Sequence, residues 1–479
     1  YTMNEKNVAV VSVTKAPAAA PSAPATSAAP PPSTPSYSGD DFEREIKRFS
    51  ESIDSLLLSL PNVMRFMEVV AGKQRAEFFA FLKASASEKV VEASQIHFTV
   101  TGSVAPKALA MQRRLKNNHT AYRLIHRSFL ISLISQYDAY LGRLLRLVYL
   151  VRPEKLNSSE KQITFKELVQ FSSLDEARER LIEREVDSVV RRSHEDQIAW
   201  LKDNLSLNAS AFIPELPEFI EVAQRRHLFV HCDGVVSAPY MKNCAAAGAK
   251  VPPTVAVGQQ LEVSKDYLER AFELVYAVGA KVGFALWLSL LKADVNAAAA
   301  CVNVLAFELV SNNRHSLAIN LLEYALSGKQ KPSNEQSLRF MILNLAQAYR
   351  WSEKMDRCAK LLDDYDWSAS STLIQLGVAT LRDQYDEAYR LMQKLGHDDD
   401  FKKENYRDWP IFRELRKQAG FLTCYKEVYR EDFEVATVVS TGPEHPSPTP
   451  GKDGHSNGPD DPLKELLEAS KPAQVPMNQ

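Results

Sequence analysis

From residue 41 to residue 436 apolar side chains recur at helical spacing, glycine and proline are sparse, and strand-like alternation is absent. Such a pattern confines the chain to helix packed on helix, because a helical stripe cannot be buried as one face of a strand. The expected class is all-α. Residues 41–60 are the sharpest case: Phe42, Ile46, Phe49, Ile53, Leu56 and Leu60 advance in steps of four and three. That stripe needs a partner helix, either in this chain or in a second copy. Pro61 is expected to end it, with a second helix following over 62–84.

Composition sets the limits around this core. The chain has 479 residues, 45% of them apolar and 25% charged, so two or three domains are expected. Residues 1–40 are an Ala/Pro-rich tail expected to be disordered, and 437–479, rich in Pro, Gly, Asp and Ser, read the same way. Between them the expected units are an N-terminal helical segment over 41–105, a helical domain over 106–292, and a further helical domain over 296–436. Within the second, residues 107–151 read as a long helical region broken near "KNNHT". Net charge is −2, so nucleic-acid binding has to come from local patches. Cys232, Cys244, Cys301, Cys358 and Cys424 form no Cys-x-x-Cys pair. They read as reduced core thiols of a cytoplasmic protein, with no cofactor or metal assigned. The N-terminus shows no apolar signal-peptide core, and the apolar run 274–291 carries Lys281 at its middle, which favours a buried helix over a membrane span.

The texture changes after 296. "NVLAFELVSNNRHSLAINLLEYAL", "LNLAQAYRWSEKMDRCAKLLDDYD" and "LIQLGVATLRDQYDEAYRLMQKLG" read as three degenerate helix–turn–helix units. Ala306, Ala346 and Ala379 recur at spacings similar to those of tetratricopeptide repeats. "HDDD" at 397–400 reads as a solvated loop.

The candidate chemistry lies in "RRHLFVHCDG", residues 225–234. Arg226 and His231 form an Arg-x4-His spacing at the end of an amphipathic helix, with His227 beside them and Asp233-Gly234 as the following turn. The same spacing occurs at Arg114–His119, in an Asn-rich stretch without apolar flanks, and is taken as a chance copy. Histidine titrates near neutrality and can give or take a proton. Arginine stays cationic and grips phosphate oxygens in pairs. Asp138 is the only carboxylate between residues 93 and 153 and sits among basic residues that include Arg123, Arg127, Arg143 and Arg146. Those arginines are candidates for an RNA-tracking surface. Leu228, Phe229 and Val230 are expected to anchor the helix, and Arg225 to face solvent.

Together, Arg226, His227, His231, Gly234 and Tyr240 resemble the signature of HEPN domains, a family of all-α ribonucleases and nucleotide-binding modules. The resemblance extends through "LISQYDAYLGRLLRLVYL" and "LEVSKDYLERAFELVY", roughly residues 120–290. It departs at His227, where the family commonly has asparagine. The resemblance implies a HEPN-like bundle followed by tetratricopeptide-like repeats. It implies a metal-independent endoribonuclease, a toxin or defence effector, working as a homodimer on RNA, with a protein partner on the repeats. In that reading His231 is the general acid/base, Arg226 stabilises the phosphate, His227 positions substrate or supports His231, and Asp138 orients Arg226. Gly234 and Tyr240 shape the turn after the helix.

Plainer readings stand beside these. Cations in a last helical turn favour the helix macrodipole. Asp138 also has Arg143 within reach as an ordinary helix ion pair. His227 and His231, four apart, have a zinc spacing, but no Glu lies between them and no third ligand is evident. The alternative function is a non-catalytic dimeric scaffold that binds nucleotide, RNA or a partner protein.

Overall fold

The computed structural model describes residues 37–92, 95–158, 162–327, 331–397 and 401–433. The expectations for the two tails and for the 397–400 loop fall largely outside these residues. The described chain is predominantly α-helical.

Helix α1 (Gly39–Ser85) runs straight through Pro61, so the expected break there is corrected. A proline inside a helix costs about 3 kcal/mol, and the packing outweighs it. Phe42, Ile46, Phe49, Ile53 and Leu60 are buried within the chain, and Met64 carries the same stripe past the proline. The stripe therefore closes inside one chain. After α1 comes an antiparallel hairpin, β1 (Glu88–Glu92) with β2 (Gln95–Thr99), against the expectation of no strands. Phe98 of β2 meets Phe79 of α1 edge to face. Helix α2 (Ala105–Val151) continues unbroken through "KNNHT". There Asn118 donates from its side chain to Gln74 of α1, which holds the polar segment in the helix.

Shorter helices follow: α3 (Phe165–Leu168), α4 (Leu174–Val190), α5 (His194–Leu205), α6 (Leu216–His231) and α7 (Ala238–Ala247). Thr164, Ser173, Ser193 and Ser237 cap α3, α4, α5 and α7 through their hydroxyls, and acidic first turns complement the dipoles of α3, α4 and α5.

Helix α8 (Lys265–Leu290) passes through the core, packed by α1 and α2. Phe49 of α1 stacks on Tyr140 of α2 at 4.3 Å. Gly279 and Gly283 permit this close approach: a Cβ at Gly279 would overlap the Phe49 ring, and one at Gly283 would overlap the Tyr140 hydroxyl. Gly283→Val should therefore lower stability by about 1–3 kcal/mol through overpacking, read as a lower urea midpoint with unchanged slope. By length and composition α8 could cross a membrane, as could the segment 292–311, but 83% of the most apolar window of α8 is buried inside the molecule. Lys281, at its centre, donates to both oxygens of Glu215 at 2.8 and 3.0 Å.

The C-terminal part pairs α9 (Val295–Ser311) with α10 (His315–Leu326), α11 (Glu335–Trp351) with α12 (Met355–Asp363), and α13 (Thr372–Leu381) with α14 (Tyr385–Leu395). The three hairpins share one turn. Asn313, Glu353 and Asp383 take left-handed φ values of 59°, 60° and 57°. In each, the next amide donates to the carbonyl five residues back: Arg314 to Leu309, Lys354 to Tyr349, Gln384 to Ala379. This pattern satisfies carbonyls that a helix end leaves open. Ala306, Ala346 and Ala379 are all buried. The described chain closes with α15 (Asn405–Asp408) and α16 (Ala419–Tyr429).

Candidate active site at the end of helix α6

Helix α6 presents two faces. Its inner face carries Phe219, Glu221, Val222, Arg225, Leu228 and Phe229, all buried. Its outer face carries Arg226, His227 and His231. The helix stops where Asp233 and Gly234 turn left-handed, at φ 48° and 81°. The Gly234 amide donates back to Leu228 O at 3.0 Å. Only glycine fits at 234, because a Cβ would lie 2.7 Å from the Phe229 ring.

Arg225 corrects the expectation of a solvent-facing charge. It is 8% exposed, its Nε donates to Glu221 Oε1 at 2.8 Å, and its guanidinium lies 4.0 Å from the Tyr267 ring centroid. The i, i+4 spacing from Glu221 turns it toward α7 and α8. Tyr240 is likewise more than a turn residue: its hydroxyl donates to Glu221 Oε1 at 2.6 Å. Tyr267 donates to Glu221 Oε2 at 2.7 Å. Burial, and then the Glu221 carboxylate, push both phenols above their ordinary pKa, so they remain protonated donors. Val230, expected in the core, is 45% exposed.

On the outer face, Asp138, His194, Arg226, His227 and His231 line one pocket of about 680 Å³. The His227 and His231 rings stand 4.5 Å apart between centroids. Partial burial of its ring, with His231 and Arg226 beside it, lowers the His227 pKa below its ordinary value, which favours the neutral imidazole near pH 7. Asp138 lies 3.9 Å from an Arg226 terminal nitrogen. Its shorter contact is with His194, whose Nε2 approaches Asp138 Oδ1 at 3.0 Å. An ionised carboxylate only accepts, so His194 Nε2 is the donor. The Nε of Arg226 is buried and has no hydrogen-bond partner among the described residues.

His194 is the residue that sequence reasoning missed. It opens α5 just after the Ser193 cap, far along the chain from the Arg-x4-His spacing, and nothing local marks it. Its placement comes from α5 docking beside α6, where its ring meets Phe219 edge to face.

The four arginines expected to track RNA divide into two pairs. Arg143 and Arg146 line a shallow groove that shares Asp138 and Val190 with the pocket and adds Arg180 and Arg184. Arg123 and Arg127 line a separate cavity. Each of the four also meets a carboxylate: Arg123 with Glu262, Arg127 with Asp233, Arg143 with Glu45 and Arg146 with Glu179. Arg143 is thus not the partner of Asp138. Among the described residues, no group of three or more His, Cys, Asp or Glu side chains is placed to hold a metal ion. No family model, curated protein or solved structure matches the chain.

Proposed function

We propose that the protein is a metal-independent endoribonuclease and that the pocket at the end of α6 holds the scissile phosphate. The observation that carries this reading is the company in the pocket: three imidazoles and three guanidiniums, of which Arg226 has an unsatisfied Nε, against one carboxylate. Such a site favours an anion and offers proton transfer near neutral pH. RNA supplies the nucleophile. One imidazole takes the 2′-OH proton as that oxygen attacks phosphorus. The P–O5′ bond breaks, and a protonated imidazole gives its proton to O5′, leaving a 2′,3′-cyclic phosphate and a 5′-OH. Arg226 neutralises charge on the phosphorane. His231, exposed at the helix end, is the proton-transfer group, and His227 supports it.

His227 and His231 stand one helical turn apart and approach a phosphate from one side, whereas in-line displacement needs base and acid on opposite sides. The resemblance to HEPN nucleases supplies the opposite side from a second copy, so the working unit is a homodimer. Asp138 has a wider role than the resemblance implies: it orients His194 and stands near Arg226. The C-terminal hairpins are read as tetratricopeptide-like and as the surface for a protein partner, consistent with a restrained toxin or defence effector of the cytoplasm.

The test is incubation of single-stranded RNA with the full chain in EDTA, with Arg226→Ala alongside. Cleavage should survive EDTA and be lost in the variant. Loss in EDTA would point to a metal enzyme, and no cleavage by a folded dimer would favour the non-catalytic scaffold. A strictly monomeric chain that still cuts RNA would move the second proton-transfer role to His194.

A further inference from the structure

A second cavity, about 860 Å³, opens between α1, α2 and the start of α8. It plays no part in the chemistry at α6, yet one of its lining residues is tied to the turn that ends that helix. Its floor is apolar: Leu60 and Met64 from α1 and Val263 before α8 are all buried. His126 from α2 completes the floor at 8% exposure. Burial lowers the His126 pKa, so the ring is held neutral beside the apolar groups. The rim carries four cations, Arg65, Arg123, Arg127 and Lys265, against three carboxylates, Glu68, Glu262 and Glu269. Lys265 also opens α8, so the positive end of that helix dipole lies at the same rim. Glu262 and Glu269 face Arg123 and Lys265 at 2.5 and 3.7 Å. Both pairs are largely exposed, so little holds them against a competing anion.

Arg127 is the link. Its Nη1 donates to Asp233 Oδ1 at 2.7 Å and its Nη2 to Asp233 O at 3.2 Å. Its guanidinium also lies 4.9 Å from the Phe229 ring centroid. Asp233 is two residues beyond His231 and is held as well by Gln260. An anion that engages Arg127 inside the cavity competes with Asp233 for the same donors.

We propose that this cavity binds a small amphipathic anion, an apolar chain with a carboxylate head, and that the head draws Arg127 away from Asp233. The volume lies in the range of small-molecule sites, and an apolar floor under a few convergent polar groups is their usual lining. The neutral floor takes the chain and the rim cations take the head. Occupancy then loosens the turn after His231. The binding site stands independently of RNA cleavage; only its effect on cleavage rests on the proposed nuclease reading.

The test is calorimetric titration of the full chain with sodium decanoate, against decyltrimethylammonium, which has the same tail and the opposite charge. Decanoate should fill one saturable site that the cation does not. Arg127→Gln should weaken it about tenfold, the loss of a charge-assisted hydrogen bond. Asp233→Asn, which tolerates the left-handed turn, should tighten it by freeing Arg127. In saturating decanoate, the amides of residues 232–236 should exchange hydrogen faster. Equal binding of the cation, or an affinity unchanged in both variants, overturns the site. Unchanged amide exchange overturns the coupling.

Discussion

His231→Ala should lower the rate of RNA cleavage by roughly 10²–10⁴-fold while leaving the fold intact, because a positioned proton-transfer group is worth about that much. The side chain is exposed at the last residue of α6, so its removal opens no cavity in the core. The change should fall on kcat, with KM little affected, since phosphate binding is assigned to Arg226. One limb of the pH–rate profile should disappear with it. Added imidazole should restore part of the lost rate by occupying the vacated space. Single-turnover cleavage of a labelled RNA, followed across pH, gives all three readouts. A His231→Ala protein with undiminished rate would remove this residue from the chemistry.

Glu221→Ala should be the most damaging change to stability. The Glu221 carboxylate accepts from Arg225, Tyr240 and Tyr267, and so ties α6 to α7 and α8. Removing it leaves a guanidinium that is 8% exposed without its counter-charge, together with two phenol donors. Breaking a buried pair in this way costs about 3–5 kcal/mol. Glu221→Gln should recover only part of this loss, because its amide presents a donor where all three neighbours also donate. Tyr267→Phe removes one hydrogen bond and should cost about 1–2 kcal/mol. Chemical denaturation of the three variants tests the order: Ala worst, Gln intermediate, Phe mildest. Equal stability of Glu221→Ala and the unaltered chain would show that the network is not what holds α6.

The helical class and the α1 stripe were legible because burial repeats with the helical period. Phe42, Ile46, Phe49 and Ile53 advance in fours and threes and are all buried. Local breakers were less reliable guides. Pro61 and the "KNNHT" stretch read as helix ends, yet both lie inside long helices whose packing on each other outweighs propensity. The β1–β2 hairpin was missed although Ile96, Phe98 and Val100 alternate with polar residues; two short strands are a weak signal inside a helical chain.

At the site, Arg226, His227, His231 and Asp138 were found from spacing, composition and resemblance, and the fold brings them to one pocket. Arg225 was misplaced because neighbouring cations on one helix differ in burial according to which neighbour each one faces. His194 had no signal to offer: its role follows from the docking of α5 on α6, a long-range contact that no local pattern encodes.

The central claim is that RNA is cut by its own 2′-OH in this pocket. The most direct measurement uses two oligonucleotides of one sequence in EDTA, one all-ribose and one with 2′-deoxyribose at the cleavage position. The all-ribose strand should be cut to a 2′,3′-cyclic phosphate and a 5′-OH, and the substituted strand should stay whole at that position. An uncut all-ribose strand, or equal cleavage of both, would contradict the account.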